Sequence, residues 1–234
     1  MKDNAVGPAG AVGMGQNEER ALPFQILAND NFYPLYSFWD QCKRNNSCLT
    51  QKIQEHYRGG VNKKTFHFLR EQIMDLDDPL EQATYFFLLN RTSFSGSTLS
   101  GGFSQESSKK RFTQSSIQRV QNLSLENLQF FNMDFEPFLE EVATGAENSF
   151  IFLDPPYFLE GKSQLYGYKG NMHKTFEHER LHRSLANHDN WMMTYNDCSY
   201  IRELYKDYII LELNWSYSMN KTKISNELVI IKKK

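Results

Sequence analysis

Phe150-Ile151-Phe152-Leu153-Asp154-Pro155-Pro156-Tyr157 is the stretch on which the reading of this 234-residue chain turns. Four consecutive apolar residues give a short buried strand. An acid, two prolines and an aromatic end it, because proline offers no N–H to a ladder and fixes φ. The same arrangement recurs along the chain. An apolar run over Phe24–Ala28 ends at Asn29-Asp30, Gln129–Met133 ends at Asp134-Phe135, and Trp191–Tyr195 ends at Asn196-Asp197. Helical patterns lie between them, so the chain predicts parallel strands with helical crossovers, an open α/β sheet. Ligands bind such sheets at the carboxyl ends of the strands, where Asp30, Asp134, Asp154 and Asp197 can share one site.

The helices follow from spacing. Leu35–Lys43 puts Leu35, Phe38, Trp39 and Cys42 on one face, with Pro34 suited to the first turn. A second helix covers about Thr50–Tyr57 and breaks at Gly59-Gly60. Thr65–Met74 is amphipathic, and Asp77-Asp78-Pro79 opens a core helix over Leu80–Leu89. Asn90–Thr113 changes character: rich in Ser, Gly and Lys, with isolated Phe residues, it predicts an ordered loop that touches a partner. Helices follow over Ser115–Asn122, Glu136–Val142, Phe176–Asn187 and Ile201–Tyr208. Glu177, Glu179, Arg180 and Arg183 fall on solvent faces of the third of these. Residues 158–174 form a loop, and Ile209–Leu213 and Leu228–Ile231 are late strands around a polar loop.

Bulk properties narrow the class. Apolar residues make up 40% of the chain, enough for a core, and net charge is only −2, so any nucleic-acid surface has to be local. Three scattered cysteines, Cys42, Cys48 and Cys198, read as reduced thiols, not as a disulfide framework. No histidine has metal-ligand spacing, so no metal is expected. No run reaches membrane-spanning length and no signal peptide is visible, which predicts a soluble cytoplasmic protein without membrane contact.

Asp154-Pro155-Pro156-Tyr157 suits chemistry on the exocyclic amine of a planar base. Such a nitrogen is delocalised into its ring, so an enzyme must accept its hydrogens to favour a pyramidal, nucleophilic geometry. The Asp154 carboxylate and the Pro155 carbonyl are two acceptors, the rigid Pro155-Pro156 pair holds them, and Tyr157 offers an aromatic face to a base taken out of its stack. The same four residues also read as a rigid turn after a strand.

The chain resembles the Dam-like DNA adenine methyltransferases from about Ala28 to its end. The resemblance rests on Ala28-Asn29-Asp30-Asn31, Leu89-Asn90-Arg91-Thr92-Ser93-Phe94-Ser95-Gly96, Asn132-Met133-Asp134-Phe135, Asp154-Pro155-Pro156-Tyr157, Tyr195-Asn196-Asp197 and Asn226-Glu227-Leu228, in that order. It implies a Rossmann-like S-adenosylmethionine-dependent methyltransferase sheet with helices on both faces and an inserted target-recognition region. The expected organisation is a cofactor part over 1–89, recognition over 90–128 and a catalytic part over 129–234. It implies methyl transfer to a flipped adenine in a specific double-stranded DNA sequence. Restriction-associated, orphan and phage roles fit equally, and a paired restriction subunit is one expected partner.

On this resemblance Asp30 binds the cofactor ribose, Asp134 its adenine amine, and Phe135 packs on its ring. Asp30 also reads as a helix cap before Pro34, and Asp134 as a strand-to-helix junction. Arg91, Ser93, Ser95, Lys109, Lys110, Arg111, Lys169, Lys221 and Lys223 are the candidate DNA contacts, the basic ones suited to phosphate. Asn90–Phe112 also reads as a solvated loop.

The front departs from the family pattern. Val6–Gly13 resembles a remnant of its glycine loop, with Gly10 and Gly13 as cofactor contacts, but no strand pattern precedes it. A compact divergent enzyme, a truncated product and one part of a split enzyme are the readings this leaves. An RNA or protein amine methyltransferase is the alternative enzyme, and a cofactor-deficient DNA-binding or assembly subunit the alternative without catalysis.

Overall fold

A computed structural model of the chain describes residues 25–143, 149–158, 176–216 and 224–232. The first strand, β1 (Ile26–Asn29), leads into six helices: α1 (Tyr33–Arg44), α2 (Asn46–Gly59), α3 (Lys63–Gln72), α4 (Pro79–Thr92), α5 (Gln105–Arg111) and α6 (Gln114–Gln121). Strand β2 (Leu128–Phe131) follows. Helix α7 (Phe135–Pro137) continues as a π-turn over Phe138–Ala143. Then come β3 (Ile151–Leu153), α8 (His178–Leu185), β4 (Trp191–Asn196), α9 (Ser199–Leu204), β5 (Ile209–Ser216) and β6 (Ile224–Ile231).

Helices α1 to α4 and α6 form one core, and its centre is α4, which touches α1, α2, α3 and α5. Ala83, Phe87, Leu88 and Leu89 are all buried there, so α4 is apolar around most of its circumference. Asp78 caps it by accepting from Leu80 N–H at 2.9 Å, with Pro79 in the first turn. Its one buried amide is satisfied: Gln82 accepts from Ser37 Oγ at 2.8 Å and donates to the Ile73 carbonyl at 2.9 Å.

The strands form two sheets. β1 pairs with β2 in parallel, Ile26 opposite Leu128 through Asn29 opposite Phe131. The second sheet has the order β3-β4-β6-β5. Its β3–β4 pair is parallel, whereas β4–β6 and β5–β6 are antiparallel. The expectation of parallel strands throughout therefore fails at the end of the chain. The cause is chain length: the few residues between Ser216 and Ile224 allow a hairpin, while a parallel return needs a crossover of a dozen or more.

Helices α8 and α9 cover one face of the second sheet, where Leu181, Leu185 and Ile201 pack on Trp191, Met193, Tyr195, Leu228 and Ile230. The other face leaves Phe152 and Leu211 about half exposed among the described residues. Asn90–Thr113, expected as a loop, contains the 3-10 turn Phe94–Gly96 and helix α5. Helix α5 forms because Ser104 caps it, accepting from Ser107 N–H at 3.1 Å, and its last turn carries Lys109, Lys110 and Arg111 against the helix dipole. Among the described residues no helix is long and apolar enough to cross a membrane.

Candidate active site

The carboxyl ends of β1, β2 and β3 open onto one cleft of about 1150 Å³. Asp30, Asp134, Phe135, Asp154, Pro155, Pro156 and Tyr157 all line it. Two asparagines fix the first strand end against the second. Asn29 makes a reciprocal pair with the Met133 backbone, donating to its carbonyl and accepting from its N–H, both at 3.1 Å. Asn132 donates to the Asp30 carbonyl at 2.8 Å. Sequence spacing gave Asn29 and Asn132 no role of their own, since each acts across about a hundred residues.

Asp30 lies two residues before Phe32, the N-cap of α1, and does not itself occupy the cap position the sequence suggested. One carboxylate oxygen accepts from Phe32 N–H at 2.7 Å, turning the chain into α1, and the residue still lines the cleft. Burial raises its carboxyl above the ordinary carboxylate range, and the Phe32 hydrogen bond offsets part of that rise. Asp134 also spends a carboxylate oxygen on local backbone. Its Oδ1 caps α7 by accepting from Glu136 N–H at 3.0 Å, so the strand-to-helix junction and a cleft-lining position coincide.

Arg180, expected on a solvent face of its helix, instead reaches this corner of the cleft. It pairs with Asp134, with Glu177 at 2.5 Å and with Glu136 at 3.5 Å. Its guanidinium lies 4.4 Å from the Phe135 ring centroid. Carboxylates surrounding a partly buried cation outweigh its desolvation and raise its pKa further. Only a pairing across 46 residues reveals the role, and no local pattern carries it.

Strand β4 holds the Asp154–Phe158 segment. Thr194 Oγ1 donates to Asp154 Oδ1 at 2.8 Å, and Asn196 Nδ2 donates to the Phe158 carbonyl at 2.7 Å. Phe158 stacks on Tyr200 with centroids 4.3 Å apart. The Tyr157 ring tilts toward buried Tyr195 at 6.4 Å, and the Tyr195 hydroxyl meets His178 Nδ1 at 2.5 Å. Asp197 points elsewhere: Arg202 grips both its oxygens, at 2.6 and 2.8 Å, and holds its carboxyl below the ordinary range.

The Asn90–Leu99 stretch forms another wall through Asn90, Gly96, Ser97, Thr98 and Leu99. Ser95, Gly96 and Thr98 all take positive φ, so the turn is tightly wound. Ser93, expected at a DNA surface, is fully buried. Its hydroxyl accepts from Thr98 N–H at 2.9 Å and donates to the Asn90 carbonyl, so it staples the turn from inside. Ser95 is exposed, and Phe94 beside it is 68% exposed. Arg111 donates to Asn90 Oδ1 at 3.3 Å and packs against Gly96. Arg91 lies half-buried with its guanidinium 5.3 Å from the Phe87 ring centroid. Burial first, then repulsion from Arg111 and Arg119, lowers its pKa. Lys110 is exposed and pairs with Glu106, while Lys109 is exposed on the same helix. Gly10, Gly13, Lys169, Lys221 and Lys223 lie outside the described residues.

Among the described residues no group of three or more His, Cys, Asp or Glu is arranged to hold a metal ion. A search of curated proteins returns no match to the chain. The family model of the D12 class N6 adenine-specific DNA methyltransferases matches residues 9–219, a span that takes in every strand end on the cleft and the Asn90–Leu99 wall beside it. By that match over most of its length the chain belongs to the D12 class of N6 adenine-specific DNA methyltransferases, which are S-adenosylmethionine-dependent enzymes.

Proposed function

We propose that this cleft transfers a methyl group from S-adenosylmethionine to the exocyclic amine of an adenine flipped out of a specific double-stranded DNA sequence. The observation that carries the reading is the convergence of Asp30, Asp134 and Asp154 on one cleft, each at the end of a different strand. The donor set suits the cofactor. Carboxylates offer acceptors for a ribose diol and an adenine amine, their charge favours a sulfonium, and Phe135 offers an aromatic face. Asp30 takes the ribose and Asp134 the amine. Each already spends one oxygen on the local backbone, so the carboxylate is fixed before ligand arrives.

When bound, the cofactor would supply an activated methyl group: N6 would gain it as the C–S bond breaks, leaving a neutral thioether, and the proton displaced from N6 would pass by way of the Asp154 carboxylate to solvent. Asp154 accepts one hydrogen of the amine and the Pro155 carbonyl the other, which turns the nitrogen lone pair out of the ring. Tyr157 stacks on the displaced base and offsets part of the unstacking cost. Ser95 and Arg91, Lys109, Lys110 and Arg111 meet the duplex, the basic groups on its phosphates. Phe94 adds an apolar wedge for the space the flipped base leaves.

Transfer of a labelled methyl group to unmethylated DNA, followed by mapping of modified bases, tests this reading. Modified adenine within one sequence context is the expected result. Methyl transfer only to RNA or to protein would replace the substrate, and no binding of S-adenosylmethionine would leave a DNA-binding or assembly role. Asp154→Ala is expected to bind DNA and to lose transfer; activity kept by that variant overturns the mechanism.

A further inference from the structure

We infer that Thr194 is a positioning residue for methyl transfer, orienting the Asp154 carboxylate through its hydroxyl; the inference rests on the function proposed above. Parallel pairing runs from Ile151 opposite Trp191 to Leu153 opposite Met193 and then stops. One step further, the register sets Asp154 beside Thr194. Both side chains then fall on the sheet face of Phe152 and Met192, because facing alternates along a strand. The ladder cannot continue past this point, since Pro155 and Pro156 have no N–H to donate. Strand β4 nevertheless runs three residues beyond β3, to Asn196.

Side chains of that overhang replace the missing ladder bonds. Thr194 Oγ1 donates to Asp154 Oδ1 at 2.8 Å at the start of the rigid segment, and Asn196 Nδ2 donates to the Phe158 carbonyl at 2.7 Å at its end. Tyr195, between them, points to the opposite face and is buried beneath Tyr157. Among the described residues Thr194 is the hydrogen-bond donor to Asp154, whose other oxygen, Oδ2, accepts none. A free carboxylate on one torsion would sweep both oxygens through the cleft. A donor on Oδ1 stops that rotation and leaves Oδ2 to accept the amine hydrogen.

The test compares Thr194→Val, which keeps the shape and removes the hydroxyl, with Thr194→Ser, which restores it. Thr194→Val is expected to slow single-turnover methyl transfer about 10- to 100-fold, with cofactor and DNA dissociation constants unchanged, and Thr194→Ser to recover most of the rate. The carboxyl ¹³C resonance of Asp154, assigned by its loss in Asp154→Asn, gives a readout independent of turnover. It is expected to move in Thr194→Val and return in Thr194→Ser. A wild-type rate in Thr194→Val overturns the inference. So does a loss that Thr194→Ser fails to restore, or one accompanied by equal losses of cofactor affinity and thermal stability. If the wild-type protein methylates no adenine, the proposed function fails, while the carboxyl resonance still reports whether Thr194 holds Asp154.

Discussion

The Arg180 guanidinium lies 4.4 Å from the Phe135 ring centroid while pairing with Asp134, the residue before that ring. One side chain from α8 thus orders both groups assigned to the cofactor's adenine. A planar cation suits this double task, whereas an ammonium can pair with the acid but cannot lie flat on the ring. Arg180→Lys is therefore expected to weaken S-adenosylmethionine binding about 5- to 10-fold, and Arg180→Ala by more, since the second leaves three carboxylates without their cation. Calorimetric titration of cofactor into each variant measures this. Equal affinity in wild type and Arg180→Ala would remove Arg180 from the site.

Asp30 predicts an opposition between stability and binding. Its carboxyl is raised by burial, so the native state holds that proton more tightly than the unfolded chain does. Stability then falls as pH rises from the ordinary carboxylate value through the raised one, and at neutral pH the ionised group is a standing cost. Asp30→Asn keeps an oxygen for the Phe32 N–H and removes the charge. It is expected to raise Tm by about 1–3 °C at pH 7, with the gain shrinking toward acid, and to bind cofactor more weakly. Thermal melts across pH, paired with cofactor titration, check both signs at once.

The strand ends were legible because an apolar run ending in Asp is a local pattern, and β1, β2, β3 and β4 each fall where that pattern put them. The partners of those acids were not. Arg180 reads as a solvent residue on its own helix, and Thr194 as an ordinary polar position in a strand. Their roles depend on pairings across 46 and 40 residues, which periodicity does not encode. Ser93 shows the converse failure. Its polar neighbours suggest a surface, but the positive-φ turn around Gly96 folds over it, and its hydroxyl is spent on Thr98 and Asn90. The antiparallel end of the sheet was readable from the short β5–β6 connection, had loop length been weighed above the alternation of elements.

Asp197 follows β4, the strand paired beside the one that carries Asp154–Tyr157, yet it faces Arg202, which also pairs with Glu212 on β5. Its task is to tie α9 to the sheet. The Arg202 hydrogen bond depresses its carboxyl, so its contribution to stability is present above the ordinary carboxylate value and fades as pH falls through the depressed one. Asp197→Asn is expected to lower Tm at neutral pH, with the difference from wild type narrowing in acid, and to keep methyl transfer within about 3-fold of wild type. A selective loss of transfer at unchanged Tm would instead put Asp197 in the base pocket.

Phe94 gives the sharpest test of base flipping. It is 68% exposed on the 3-10 turn beside the cleft wall, where a large apolar side chain gains nothing from the protein's own core. An apolar wedge that fills the gap in a duplex lowers the cost of extruding a base, a cost of a few kcal/mol for a paired base and least for a mismatched one. Phe94→Ala is therefore expected to leave Tm unchanged and to slow transfer to a fully paired target about 10-fold or more. With a mismatch opposite the target adenine, extrusion is already easy, and the variant's rate is expected to approach that of wild type. Single-turnover rates on the two duplexes measure the difference. A loss of the same size on both would assign Phe94 to general DNA affinity, not to the flipping step.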